Sequence, residues 1–324
     1  MADLFQRLIT VLNKSKRFGV VPNGGLGNQL FQIAAGLYIS KNKKIQIFGE
    51  LGEPRLLPDS LPVSSKLIFP AETVVYERKK FFPIAKYISR ILLSLSASYG
   101  TNKISRLIIS AICLTLRIFS YLTNYRILLG RGVGYTDNLD SANLGLAIGY
   151  FQSYKYAADP DVFKILRKIK PKSPGEQLRT YIALADLENP IIVHVRLGDY
   201  LNEENFGMLP KSYFIENLQT LINILPDSRV WVFSDDLASA ADYFRDIDNS
   251  KVRLVPEIDS CPVSTLELMR HGAAHLISNS SFGWWGAFLS YRENGMVICP
   301  IPWFKSLPNP QDLVPPNWIS VNPW

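Results

Sequence analysis

The chain has 324 residues, 47% of them hydrophobic and 19% charged, which excludes a disordered or fibrous protein and suits two globular domains. Its formal net charge of +7 favours anionic partners such as phosphorylated substrates or anionic membrane surfaces; nucleic acid is not expected as a partner. Cys113, Cys261 and Cys299 are odd in number and lack metal-ligand spacing, so neither a disulfide framework nor a zinc site is expected, and a reducing cytoplasm fits.

Residues 1–17 mix charges without a long apolar core and do not read as a secretory signal. Phe18–Val21 reads as a strand, Gly24-Gly25-Leu26-Gly27-Asn28-Gln29 as a tight glycine turn, and Leu30–Ser40 as a helix with Leu30, Ile33, Ala34 and Leu37 on one face. Ile45–Phe48 follows as a second strand, so the chain opens with a βαβ unit. Gly24, Gly25 and Gly27 permit positive φ and close backbone approach to a ligand. Asn28 stands where it can cap the helix or face a cleft. Without dinucleotide spacing or a Walker lysine, the turn is as consistent with structure as with phosphate binding.

Pro54–Pro70 reads as loop, and Pro83–Gly130 as helical, with a stripe of Ile84, Ile88, Ile91 and Leu95 beside basic Lys79, Lys80, Lys86 and Arg90. The mixture recurs over Ile104–Leu129 with Arg106, Arg117 and Arg126. Two readings stay open: a helical insert packed on the first domain, or a basic amphipathic surface resting on anionic lipid. The longest apolar run, Leu107–Leu116, is bounded by Arg106 and Arg117, about half the ~20 residues a spanning helix needs, so no bilayer crossing is expected.

Past a plausible linker at Lys170–Gly175 the pattern turns regular. Strands are predicted at 191–196, 229–233, 252–255, 275–278 and 296–299, with helices at 212–225, from 236 through 245, at 265–272 and at 282–292. Alternation at this spacing implies a parallel sheet of Rossmann type.

The chemistry concentrates at the ends of these strands. In Ile191-Ile192-Val193-His194-Val195-Arg196-Leu197-Gly198-Asp199-Tyr200, strand alternation points His194 and Arg196 the same way, just before a turn. That is where ligands bind in open α/β sheets. An Arg there needs an anion, since an unpaired buried charge costs several kcal/mol; a carboxylate partner such as Asp199 or a phosphate would serve, and the planar fork suits phosphate. His194 is a hydrogen-bonding bridge or a general base. Asp235 and Asp236 follow an apolar strand and can cap the next helix, accept N–H donors from guanine or bind ribose hydroxyls. Asn279-Ser280-Ser281-Phe282 opens a helix whose hydroxyls and free amides make an anion site. Trp284 and Trp285 diverge by about 100°, so at most one faces the cleft. Together the loops describe a cleft for a diphosphate, where an Arg and a helix N-terminus stand in for a divalent metal. A competing metal-dependent reading rests on the Asp-x-Asp patterns Asp159-Pro160-Asp161 and Asp246-Ile247-Asp248, neither of which ends an apolar strand.

Five blocks carry a resemblance: Gly24–Gln32, His194–Tyr200, Phe233–Asp236, Ser278–Ala287, and Pro302-Trp303-Phe304 with Trp318-Ile319. In this order they resemble the bacterial α-1,2-fucosyltransferases, glycosyltransferase family 11. The resemblance implies an α/β GT-B fold: two Rossmann-like domains facing a cleft, residues 1–172 on the acceptor side with the helical insert and residues 173–324 binding the donor. It implies inverting transfer of L-fucose from GDP-fucose to the 2-hydroxyl of a terminal galactose in a glycan or O-antigen precursor, with no cofactor or metal. Arg196 then grips the diphosphate with His194 beside it, and Asp235 or Asp236 reads guanine or ribose. Ser280, Ser281 and Phe282 contact phosphate and fucose, and Asn28, with Gly25 and Gly27, lies near the transferred sugar or acceptor. Trp284 is a further expected contact. Asp199, Glu203, Glu204 and Glu50 are the carboxylates considered for the base. The expected location is the cytoplasm, with peripheral contact to the membrane face open.

Overall fold

The computed structural model describes residues 17–47, 62–70, 73–76, 91–99, 103–123, 126–137, 144–198, 206–248 and 250–324. The chain divides into two compact units between Ile169 and Lys170, with Pro310–Val314 returning to the first. The division thus falls three residues ahead of the position expected from the linker.

The first unit is built on a fully parallel five-stranded sheet. Its strands are β1 (Phe18–Val20), β2 (Ile45–Ile47), β3 (Val74–Tyr76), β4 (Arg126–Leu129) and β5 (Gly145–Ile148), in the spatial order β3-β2-β1-β5-β4. Helix α1 (Leu26–Ile39) crosses from β1 to β2 and buries twelve of its fourteen residues. Gly36 makes this approach possible: a Cβ there would lie 2.3 Å from a methyl of Val20. Helix α2 (Lys103–Thr123) packs one face on the edge strand β4, where Ile109 and Leu116 meet Ile127 and Leu129. The alternating burial of β4 explains that pairing, since Ile127 and Leu129 point inward while Arg126 and Leu128 stay part-exposed. Arg126–Leu129, expected as the tail of a helix, is therefore a strand. A four-residue apolar run lacks the length to separate the two by periodicity. Two short helices follow, α3 (Tyr154–Ala157) and α4 (Pro160–Leu166), each opened by a side-chain cap from Ser153 and Asp159.

The second unit holds a parallel six-stranded sheet formed by β6 (Ile191–Val195), β7 (Val230–Ser234), β8 (Val252–Val255), β9 (Ala274–Ile277), β10 (Met296–Pro300) and β11 (Ile319–Val321). The spatial order is β8-β7-β6-β9-β10-β11, or 3-2-1-4-5-6 within the unit, the order of dinucleotide-binding sheets. The helices are α5 (Glu176–Glu188), α6 (Lys211–Ile224), α7 (Leu237–Tyr243), α8 (Pro262–Met269) and α9 (Ser281–Phe288). Apolar clusters fill both faces of the sheet, Val193 and Val195 with Leu218 and Leu221 on one, Ile192 with Trp231 and Met269 on the other. This two-sided burial is why its strands read as continuous apolar runs. The buried Arg270 is matched internally: it reaches Glu267 at 2.6 Å and the Leu289 carbonyl at 3.0 Å, and its guanidinium lies over Tyr291. Two α/β units with parallel sheets are what the GT-B expectation requires.

Candidate active site

Strand order changes direction between β6 and β9, parallel neighbours in the sheet from which successive strands are added toward opposite edges. The carboxyl ends of these strands, with β7 beside them, carry His194, Arg196, Asp235 and the Ser278–Ser281 loop. A parallel α/β sheet opens its ligand crevice at such a point.

His194 is buried, and its Nδ1 shares a hydrogen bond with Ser278 Oγ at 3.0 Å. The imidazole also lies against Phe282, with ring centroids 5.8 Å apart. Burial pushes its pKa down to about 4, helped by the nearby positive charge of Arg196, against the opposing pull of Asp235. The ring is neutral at physiological pH. Gly283 is what lets α9 come this near: a Cβ there would stand 2.8 Å from His194 Nδ1. Tyr213 on α6 fixes the end of β9 by donating its hydroxyl proton to the Ile277 carbonyl at 2.9 Å.

The strand register pairs Val195 with Ser234, so the next residues, Arg196 and Asp235, fall side by side. Arg196 Nε lies 3.3 Å from Asp235 Oδ2, and both side chains are part-exposed. The same carboxylate accepts from the Leu197 amide at 2.9 Å and the Gly198 amide at 3.0 Å. Asp235 is therefore an acidic partner of Arg196; Asp199, like Glu50, Glu203 and Glu204, lies outside the described residues. Asp236 divides from its neighbour in role. It caps α7 by accepting from the Ser239 amide at 3.0 Å, and the Ser239 hydroxyl and amide hold its carboxyl below the usual range.

At the head of α9, Ser280 is the N-cap and accepts from the Phe282 amide at 3.3 Å. Ser281 and Phe282 are part-exposed in the first turn. Asn279 ties this loop to the 206–207 segment, donating to the carbonyls of Phe206 and Gly207 at 3.1 and 3.0 Å. Trp284 requires a correction. Expected as a substrate contact, it is fully buried, stacked on Phe288 at 4.5 Å and packed against Trp285 and Trp318. Both indoles belong to the core, because the residues one turn on and the late Trp318 supply aromatic partners for them.

In the first unit, the glycine turn uses positive φ at Gly24 alone (φ 76°); Gly25 sits at φ −66° as the N-cap of α1, and Gly27 lies within the helix. A Cβ at Gly25 would meet nothing within 4 Å, and no side chain caps α1. Asn28 is part-exposed, its Oδ1 accepting from Gln152 at 2.8 Å. The turn is held from inside by two buried amides that sequence reasoning missed. Gln29 donates to the Gly24 carbonyl at 2.9 Å and accepts from the Ser64 amide at 2.9 Å, and Gln32 accepts from the Asn23 amide at 2.8 Å. Their i,i+3 spacing on the buried face of α1 was the available signal. Ser278 and the glutamines are the additions to the sequence-derived set, and Gly283, expected to let the helix pack closely, does so against His194.

Of the Asp-x-Asp carboxylates, Asp159 caps α4 and pairs with Lys43, Asp246 pairs with Lys211 at the surface, and Asp248 accepts from the Ser250 amide.

A guanidinium, a neutral imidazole and a helix N-terminus gather at the turning point of a 3-2-1-4-5-6 sheet, a Rossmann-type arrangement of donors suited to an anion. The chain belongs to glycosyl transferase family 11, whose model matches residues 18–322. It is similar to an alpha-1,2-colitosyltransferase of Escherichia coli, at 28% identity over 187 residues that cover 54% of this chain and 61% of that protein. It is also similar to the O-antigen biosynthesis glycosyltransferase WbnK of Escherichia coli, at 25% identity over 92% of this chain and 98% of that one. Among solved structures, it is similar to the fucosyltransferase NodZ from Bradyrhizobium, with TM-score 0.45 and 15% identity, covering 84% and 92% of the two chains.

Proposed function

We propose that the protein is a metal-independent, inverting glycosyltransferase that moves L-fucose from GDP-fucose to the 2-hydroxyl of a terminal galactose in a glycan or O-antigen precursor. The observation that carries this reading is the Arg196 guanidinium, held by Asp235 at the end of β6 beside the His194–Ser278 hydrogen bond. As the acceptor hydroxyl attacks the anomeric carbon, its proton passes to a carboxylate or water, the bond to the diphosphate breaks, and GDP leaves with added negative charge. Arg196 and the amides at the head of α9 are fixed donors for that charge, and such donors need not reorganise as it develops. His194 fits as a positioned donor: when Nδ1 accepts from the Ser278 hydroxyl, Nε2 carries the ring proton. A pKa near 4 makes it a weak base and keeps a second cation out of the pocket. The part-exposed Phe282 offers a ring edge to the sugar.

A second donor is favoured by the similarity to a colitosyltransferase. Colitose is fucose without the 3-hydroxyl, so the two donors differ by one polar group. A pocket that hydrogen-bonds that hydroxyl rejects the analogue strongly, whereas a pocket without a partner accepts both.

The test is a donor panel of GDP-fucose, GDP-colitose and GDP-mannose against β-galactoside acceptors, with released GDP and product mass as readouts. A product with a fucosyl group on the galactose 2-hydroxyl supports the proposal. Turnover confined to GDP-colitose or GDP-mannose transfers it to another donor, and donor binding without turnover replaces it with a non-catalytic binding role.

A further inference from the structure

Helix α2 has two apolar faces, and among the described residues only one of them is covered. Ile109 and Leu116 pack into the core against Ile127 and Leu129. On the opposite side Ile104, Leu107, Ile108, Leu114, Ile118, Tyr121 and Leu122 are 47–87% exposed. At 100° per residue these positions fall within an arc of about 140°, a continuous stripe rather than scattered surface residues.

Charge is distributed with equal bias. The helix, KISRLIISAICLTLRIFSYLT, contains no acidic residue. Its cations Lys103, Arg106 and Arg117 project within about 60° of one another, along one margin of the stripe. On that margin a cavity of about 550 Å³ opens between α2 and β4, lined by Arg117, Arg126 and Arg131 with Asp137 as its carboxylate.

We infer that α2 is a docking surface for an anionic lipid bilayer, lying in the plane of the interface with its stripe in the acyl region and its arginine margin on lipid phosphates. The polarity of the margin selects this occupant: an apolar stripe alone would suit any greasy partner, but a border of Lys103, Arg106, Arg117, Arg126 and Arg131 against the single carboxylate of Asp137 complements a headgroup layer. The helix is long and apolar enough to span a membrane by length and composition. Its packing on β4 argues for the interface instead, because a spanning helix would have to surrender the contacts of Ile109 and Leu116 with the sheet. This inference concerns the first unit and is independent of the donor bound by the second.

The experiment is co-sedimentation of the full chain with vesicles of phosphatidylcholine alone or with equal parts phosphatidylglycerol. Binding to the anionic vesicles alone, weakened by salt, is expected. Arg106→Gln/Arg117→Gln should lower the partition coefficient roughly 25-fold, about fivefold per cation lost, and Leu107→Gln/Leu114→Gln should abolish binding while circular dichroism and transfer to a soluble acceptor stay as in wild type. Equal recovery with both vesicle types, or unchanged binding by the arginine variant, would overturn the inference. So would a dimer in lipid-free solution that the leucine variant dissociates, which would make a second copy the occupant. Resistance of the membrane-bound protein to carbonate extraction would overturn it in favour of a span.

Discussion

Arg196 and Asp235 lie 3.3 Å apart on adjacent parallel strands, and the carboxylate that meets the guanidinium also gathers the Leu197 and Gly198 amides. One side chain therefore sets both the direction of the arginine and the shape of the loop behind it. Arg196→Ala is expected to lower kcat at least ~10²–10³-fold, the usual cost of losing one preorganised donor. Arg196→Lys should fall between, because an ammonium cannot reproduce the fork. Asp235→Ala should cost activity and, by leaving two amides without their acceptor, about 1–3 kcal/mol of stability. Initial rates and urea melts read these effects, and an Arg196→Ala enzyme within threefold of wild type would refute the assignment.

Two glycines make opposite predictions. Gly283→Ala drives a methyl to 2.8 Å from the enclosed ring of His194, which cannot retreat without leaving Ser278. A stability loss of about 1–3 kcal/mol, typical of overpacking, should accompany the loss of activity. Gly25→Ala meets empty space at an ordinary φ. Its stability should match wild type, while transfer falls if a substrate passes close to that backbone. Thermal melts alongside rates separate the pair, and a destabilised Gly25→Ala would contradict the open geometry.

Acid should destabilise the second unit through its histidines. His194 and His275 are both pushed down from 6.5 to about 4 by burial, so in that interval the unfolded chain binds protons that the native state refuses. Their contribution is complete above pH 6.5 and is lost as pH falls toward 4, by about 2 kcal/mol per histidine at pH 5. His275 donates from Nε2 to the Met269 carbonyl at 2.8 Å. His275→Gln keeps a donor and should remove about half of the slope. Denaturant midpoints between pH 7 and 5 provide the measurement; a flat profile would contradict the burial of both rings.

Metal chelation should leave transfer unchanged. The charge that a divalent ion would neutralise is assigned to Arg196 and the amides at the head of α9, so GDP release in excess EDTA should equal the untreated rate. Loss of activity on chelation, restored by a divalent ion, would displace this account.

The second unit was far more legible in the chain than the first. Its strands are buried on both faces, so Ile191–Val195 and Val230–Ser234 stand out as apolar runs, and their ends carried His194, Arg196, Asp235 and the serine loop in plain view. In the first unit β3 has three residues and β4 and β5 four each, too short to declare a period, and Arg126–Leu129 merged with the apolar helix before it. The candidate residues at strand ends were legible by type, whereas the buried hydrogen-bonding partners Ser278, Gln29 and Gln32 were not, because their roles depend on tertiary neighbours. Gly283 was legible as a close-packing position, and the fold adds that the room it leaves is filled by His194. Trp284 misled: an aromatic beside a ligand loop reads as a contact, and its enclosure by Phe288 and Trp318 is a tertiary fact.

The groups that converge on His194 and Arg196, Ser278 and Asp235, come from segments 84 and 39 residues further along the chain. No local fragment can reproduce the grip, and a donor held there would bridge three strands, adding to their backbone ladders and to the Arg196–Asp235 and His194–Ser278 contacts. Occupancy should consequently be felt as a brace: amide exchange in β6, β7 and β9 would slow together when nucleotide binds, because opening any one of them requires expelling it first.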